Sequence, residues 1–198
     1  MSADPLVKRS RRRLLLLAAL FLAPPVLAVA LYFWVPQWIP RERVNHGTLL
    51  NPARPLPQLH WIGAPAGSVI GRHWTLLVFG GRRCDAVCLQ RVTLIHNLRR
   101  VLRGDAQRVS VVYVAPDVAT LAAVSPLLAP LNRGVTAVAP SADSQAAYTA
   151  FFADPARAPG AVSIVDPLGN WVLSYTPDEP PRPIYLDLKR LLHYSRIG

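Results

Sequence analysis

The sequence predicts an α/β domain, a central mixed sheet flanked by helices, preceded by one N-terminal transmembrane helix. Three observations carry that prediction. An uncharged run of 21 residues, Leu14 to Trp34, stands near the N-terminus. Beyond residue 70, short apolar runs alternate with helical patterns, the order of a sheet covered by helices on both faces. The only two cysteines, Cys84 and Cys88, sit where the first of those runs gives way to the first helical pattern.

At about 1.5 Å per residue the run Leu14 to Trp34 covers a hydrocarbon core of roughly 30 Å. Pro24 and Pro25 in its middle predict a kink, which membrane helices tolerate better than soluble ones. Residues 1–13 form a basic tail in which Lys8, Arg9, Arg11, Arg12 and Arg13 face Asp4 alone. The positive-inside rule places that tail in the cytoplasm and the remaining chain outside. A cleaved signal peptide is the alternative, with Ala28-Val29-Ala30 as its small-residue site. Leu31 to Val35 continue the apolar run past that site, and Trp34 and Trp38 suit an interfacial belt, which favours an anchor. Both readings export the domain. The net charge of +11 does not point to nucleic acid: beyond the span, 17 basic residues face 10 acidic ones as scattered arginine, not a block. An exported domain with this surplus meets anionic headgroups or acidic proteins first.

Residues 35–55 read as a Pro-rich linker, with Pro36, Pro40, Pro52 and Pro55 and no sustained period. The folded domain is expected over 56–198. Trp74 to Phe79 is its first strand, and Ala86 to Leu102 its clearest helix, with Val87, Leu94, Leu98 and Val101 as the apolar face. Val109 to Val114 is a buried strand, Leu121 to Leu128 a short helix, and Val135 to Ala139 another strand. A helix follows from Ser141 to Phe152, capped by Ser141 or Asp143. Ser163 to Val165 and Trp171 to Tyr175 form a hairpin around Asp166-Pro167-Leu168-Gly169-Asn170, whose Pro and Gly supply the turn dihedrals. Ile184, Leu188, Leu191 and Leu192 make the stripe of a terminal helix that Pro183 opens. Trp61, Trp74 and Trp171 read as packing residues. The thioredoxin fold satisfies this order of elements.

The thiol pair admits redox or metal chemistry. At a helix start Cys84 meets unpaired backbone N–H groups and the positive end of the helix dipole, and Arg82 and Arg83 add charge of the same sign; Asp85 opposes them. In exchange Cys84 would attack as thiolate and Cys88 resolve the mixed disulfide. A structural disulfide is the competing reading. Closing so short a loop removes unfolded-state entropy worth only about 2 kcal/mol, against about 4.7 for a 100-residue loop, so stability is a weak reason for the spacing. A pair that has lost its chemistry also stays open.

The run Phe79-Gly80-Gly81-Arg82-Arg83-Cys84-Asp85-Ala86-Val87-Cys88 resembles the signature of the Sco/SenC family in its Phe-Gly, its two cysteines and the Val before the second. Asp166-Pro167-Leu168-Gly169 is similar to the family's turn. The resemblance implies a membrane-anchored, thioredoxin-like domain, single-pass in the bacterial inner membrane with the C-terminal domain in the periplasm. It further implies cytochrome c oxidase assembly, with oxidase subunits or assembly factors as partners, by thiol-disulfide exchange through Cys84 and Cys88. Copper(I) delivery with the same two cysteines as metal ligands is an alternative, as is a non-enzymatic scaffold at the inner membrane. The sequence departs from the family at Leu89, where Pro is usual, and at Ala158, which fills the place of the copper-ligand histidine. His73 and His96 read as surface or packing residues. Pro159 is the nearest match to the cis-proline that thioredoxin-like folds place beside their thiols.

Overall fold

The computed structural model describes residues 5–34, 45–64, 70–131, 134–195 and 197–198. Residues 35–44 of the expected linker and residues 1–4 of the basic tail lie outside them. The chain divides into two compact units, Met1–Val44 and Asn45–Gly198. In the first, helix α1 (Pro5–Trp34) runs unbroken through Pro24 and Pro25, and its stretch Arg11–Trp34 is long and apolar enough to cross a membrane.

The second unit is built on one seven-stranded mixed sheet. Its strands are β1 (Thr48–Pro55), β2 (Trp61–Ile62), β3 (Trp74–Phe79), β4 (Val109–Val114), β5 (Val135–Pro140), β6 (Val162–Val165) and β7 (Asn170–Tyr175), in the order β1-β7-β6-β3-β4-β5-β2. β3 runs parallel to β4, and β4 to β5; the other pairings are antiparallel. The helices are α2 (Ala86–Val101), α3 (Val118–Leu128), α4 (Gln145–Phe151) and α5 (Pro181–Tyr194). Every residue of β3 is buried because both faces of the sheet are covered. Leu76 and Val78 join Ile95 of α2, Leu121 of α3 and Leu188 of α5 in one cluster. Leu77 and Phe79 point the other way, into a cluster with Tyr148 of α4, Phe152 and Trp171. This is the period of two in a strand that serves two cores.

Several expectations are corrected. Thr48–Pro55 is not linker: it pairs with β7 as the edge strand, where prolines are tolerated because one side of the strand needs no ladder donors. The short β2 pairs with β5 at the opposite edge. On α2, Val87, Leu94 and Val101 are 72%, 40% and 58% exposed, and of the expected face only Leu98 is buried, beside Val92 and Ile95. Cys88, packed against the same cluster, fixes this phase: Cys88, Val92, Ile95 and Leu98 follow one another at helical steps. The helix expected from Ser141 starts as a 3-10 turn, Ala142–Ser144, before α4. Ser141 makes no side-chain cap there, while the Ser144 hydroxyl accepts from the His60 N–H at 2.9 Å. α5 opens at Pro181, two residues before Pro183. Trp74 and Trp171 are buried, as their packing role required.

The chain enters the domain at His46–Gly47, held there by Asp187 of α5. The buried Asp187 carboxylate accepts from the His46 N–H at 2.7 Å, the Gly47 N–H at 3.0 Å and the Tyr175 hydroxyl at 3.0 Å, and pairs with His46 Nδ1 at 2.9 Å. At the other end Arg108 donates to the Leu192 and Ser195 carbonyls, which the end of α5 leaves open, and to the oxygens of Ile197 and Gly198 beyond it.

Candidate functional site

The site forms where β3 and β4 deliver their carboxyl ends to one place and α2 begins. Backbone bonds fix the approach: the Gly80 N–H donates to Val114 at 2.8 Å, Phe79 to Ala161 at 3.0 Å, and Gly160 back to Phe79 at 2.7 Å. From this anchored point the loop rises to Cys84. Asp85 caps α2, its Oδ1 accepting from the Cys88 N–H at 2.9 Å. Cys84 therefore precedes the cap and Cys88 lies in the first turn, which brings the two Cα atoms to 5.1 Å, and a disulfide joins them. Both cysteines are half-buried against the cluster of Ile95 and Leu188.

Beneath the disulfide lies Tyr113, a fully buried residue of β4 whose hydroxyl stands 3.9 Å from Cys88 Sγ. Burial pushes its phenol above the usual tyrosine value. Gly80 makes room for it: a Cβ there would sit 2.0 Å from the Tyr113 oxygen. Beside Cys88 opens a cleft of about 380 Å³ whose wall includes Arg83, Val87, Arg91, Pro159 and Pro177. Arg91, one turn beyond Cys88 on α2, braces this wall by donating to the carbonyls of Gly160 at 3.1 Å, Glu179 at 2.6 Å and Thr176 at 3.4 Å. Burial holds its guanidinium below the ordinary arginine value, against the pull of Glu179 and Asp178. At the neighbouring loop the exposed Asp117 caps α3 through the Thr120 N–H at 2.7 Å. That bond, with the smaller pull of Arg82, lowers its carboxyl.

The structure thus brings Cys84 and Cys88 together beside Gly80 of the signature's Phe-Gly, and surrounds them with two groups the sequence did not single out for the site, Tyr113 and Arg91. The clearest available signal was Tyr113, the one polar-tipped aromatic in Val109–Val114, since a buried hydroxyl has to find a partner. Other expectations fall elsewhere. The Ala158–Pro159 bond is trans; among the described residues the cis X-Pro bonds are Asn51–Pro52 and Asp154–Pro155. Pro159 nevertheless borders the loop, its ring 3.2 Å from where a Gly81 Cβ would stand. Ala158 packs with the Phe79 cluster, on the other side of the sheet from the cysteines. His73 is exposed, and His96 packs over Gly134. Among the described residues no three His, Cys, Asp or Glu side chains converge. The two sulfurs, a phenol and flanking arginines do not make the two-cysteine, one-histidine set that a copper site of the resembled type requires.

A family model described as a transmembrane-like, thioredoxin-like, C-terminal domain matches residues 74–195, both cysteines included. No curated protein matches the chain by sequence. Among solved structures the chain is similar to copper-bound ScoI of Arabidopsis thaliana, with a TM-score of 0.52 over 64% of this chain and 88% of that one at 12% identity. It is similar also to copper-bound Sco1 of yeast, with a TM-score of 0.53 over 63% and 81% at 10% identity. At such identities the likeness is one of fold, and it agrees with the Sco-like resemblance carried by the run Phe79 to Cys88. Sheet order, helix placement and the matched span together make this chain a member of the transmembrane-like, thioredoxin-like C-terminal domain family.

Proposed function

We propose that this is a membrane-anchored thiol-disulfide exchange protein of the Sco-like kind, held in the bacterial inner membrane with its domain in the periplasm, that serves cytochrome c oxidase assembly. The observation that carries the proposal is the half-exposed Cys84–Cys88 disulfide at the rim of a cleft, set at the end of a parallel strand pair. The apolar helix near the N-terminus and the basic residues before it support the anchor and its orientation.

In the reaction, the Cys84 thiolate attacks one sulfur of a target disulfide, forming a mixed disulfide and releasing the target's second sulfur as thiolate. Cys88 then attacks Cys84 Sγ, which breaks the mixed disulfide and frees the target's first sulfur. The target gains two electrons and the Cys84–Cys88 bond holds the oxidised equivalent. A dithiol donor in the same compartment then reduces the Cys84–Cys88 bond to two thiols in two exchange steps and leaves as a disulfide. Asp85, by capping the Cys88 N–H, keeps the first turn of α2 in place through the cycle.

Complementation tests the proposal. In a strain lacking the gene, the wild-type chain should restore assembled oxidase, and the Cys84→Ser, Cys88→Ser double variant should not. Full assembly with the double variant at wild-type abundance would replace exchange chemistry by a scaffolding role.

A further inference from the structure

Tyr113 is a buried polar group that the exchange chemistry above leaves unused. Its side chain is fully enclosed, and among the described residues the one bond shown for its hydroxyl is to Cys88 Sγ, at 3.9 Å. A buried hydroxyl without a partner is costly, so its alternatives are few. A disulfide sulfur is a weak acceptor, whereas a thiolate is an anion, and hydrogen bonds to charged acceptors are roughly twice as strong as neutral ones. The bond is therefore worth most after the disulfide has opened. The loop is built to admit it, since any side chain at residue 80 would collide with the Tyr113 oxygen. Among the described residues Cys84 Sγ has no such hydrogen-bonding partner, and the residues on either side of it in the loop, Arg83 and Asp85, are exposed.

We infer that Tyr113 is a positioning residue for exchange: its hydroxyl receives Cys88 as the departing sulfur and so directs incoming thiols to Cys84. An incoming thiolate forms a new S–S bond to Cys84 Sγ, the Cys84–Cys88 bond breaks, and its electron pair leaves on Cys88 Sγ, which accepts the Tyr113 O–H. A second thiol of the same dithiol donor then displaces Cys84, releasing the donor as a disulfide. With its phenol raised above the usual value, Tyr113 stays a donor throughout the neutral range. This inference rests on the proposed exchange chemistry, but it assigns a role to a residue outside the thiol pair.

The test compares the full-length wild-type chain with Tyr113→Phe, both in detergent micelles, by redox equilibration and by the rate of reduction with dithiothreitol. Loss of a bond made chiefly to the thiolate destabilises the reduced form. The exchange constant should shift about tenfold toward the disulfide, which for two electrons is about 30 mV more negative, and reduction should slow by a similar factor. Trapping with glutathione followed by alkylation should place glutathione on Cys84 and the alkyl group on Cys88 in the wild type, with that preference reduced in Tyr113→Phe. Constants and rates within twofold of wild type, with an unchanged adduct pattern, would overturn the inference while leaving the exchange reading intact. Should Tyr113→Phe fail to fold, 3-fluorotyrosine placed at position 113 gives a second readout. Its ¹⁹F resonance should move when the disulfide is reduced, and a fixed resonance would overturn the inference. If the wild-type disulfide cannot be reversibly reduced, the exchange reading falls, and this inference with it.

Discussion

Replacing Asp187 by alanine removes the acceptor on which the entry of the domain converges. The carboxylate takes bonds from the His46 and Gly47 N–H groups and the Tyr175 hydroxyl, and lies beside the His46 ring. Gly47 and Tyr175 are buried, so after truncation their donors have neither the carboxylate nor easy access to water. Each orphaned buried donor costs about 1–3 kcal/mol, and the half-exposed His46 adds less because water reaches it. The total is about 4 kcal/mol, a drop of roughly 8–16 °C for a domain of this size. The assay is thermal unfolding of the full-length protein in detergent at pH 7, oxidised, followed by near-ultraviolet circular dichroism. The Cys84–Cys88 disulfide should survive in the folded variant, because the clamp and the thiol loop lie on different elements. A loss below about 1 kcal/mol would mean that the Gly47 and Tyr175 donors find other partners, and would refute the reasoning.

Further expectations follow from the same contacts. Burial pulls the Asp187 carboxyl up, but the bonds from Gly47, His46 and Tyr175 outweigh it and leave it below the ordinary value. A carboxyl lowered in the folded state stabilises above its unfolded value of about 3.9 and loses that contribution as pH falls through the folded one. The stability gap between wild type and Asp187→Ala should thus hold steady from about pH 7 to 5 and narrow below about 4, as urea titrations at each pH would read. Gly80→Ala drives a Cβ against the Tyr113 hydroxyl; overpacking there should cost about 1–3 kcal/mol in urea unfolding and displace the ring from Cys88. Arg91→Ala releases the carbonyls of Gly160, Thr176 and Glu179. It should cost about 2 kcal/mol and raise amide hydrogen exchange at Gly160, Thr176, Asp178 and Glu179 while leaving β3 and β4 protected.

Strands β3, β4, β5, β6 and β7 were legible in the sequence because each is a short apolar run bounded by turn residues, and the thiol pair because cysteines are so few. Other features depend on contacts made far along the chain. Val87, Leu94 and Val101 carry the same helical spacing as the stripe that α2 buries, so periodicity alone could not choose between them; packing of Cys88 and Val92 against the sheet did. β1 escaped detection because its prolines argue against a strand until the partner β7 supplies an edge. Asp187 was visible only as a charge inside the stripe Ile184, Leu188, Leu191, an irregularity whose meaning lies in His46 and Gly47, about 140 residues earlier. Tyr113 looked like one more strand aromatic, and its relation to Cys88 appears only once β4 lies beside β3.

The most direct measurement of the central claim is the reduction potential of the Cys84–Cys88 couple in the full-length protein, equilibrated against glutathione and dithiothreitol buffers and read by thiol alkylation. The account predicts a reversible two-electron couple within the span of exchange proteins, roughly −270 to −120 mV. A disulfide that stays closed below about −300 mV would contradict it and mark the bond as structural.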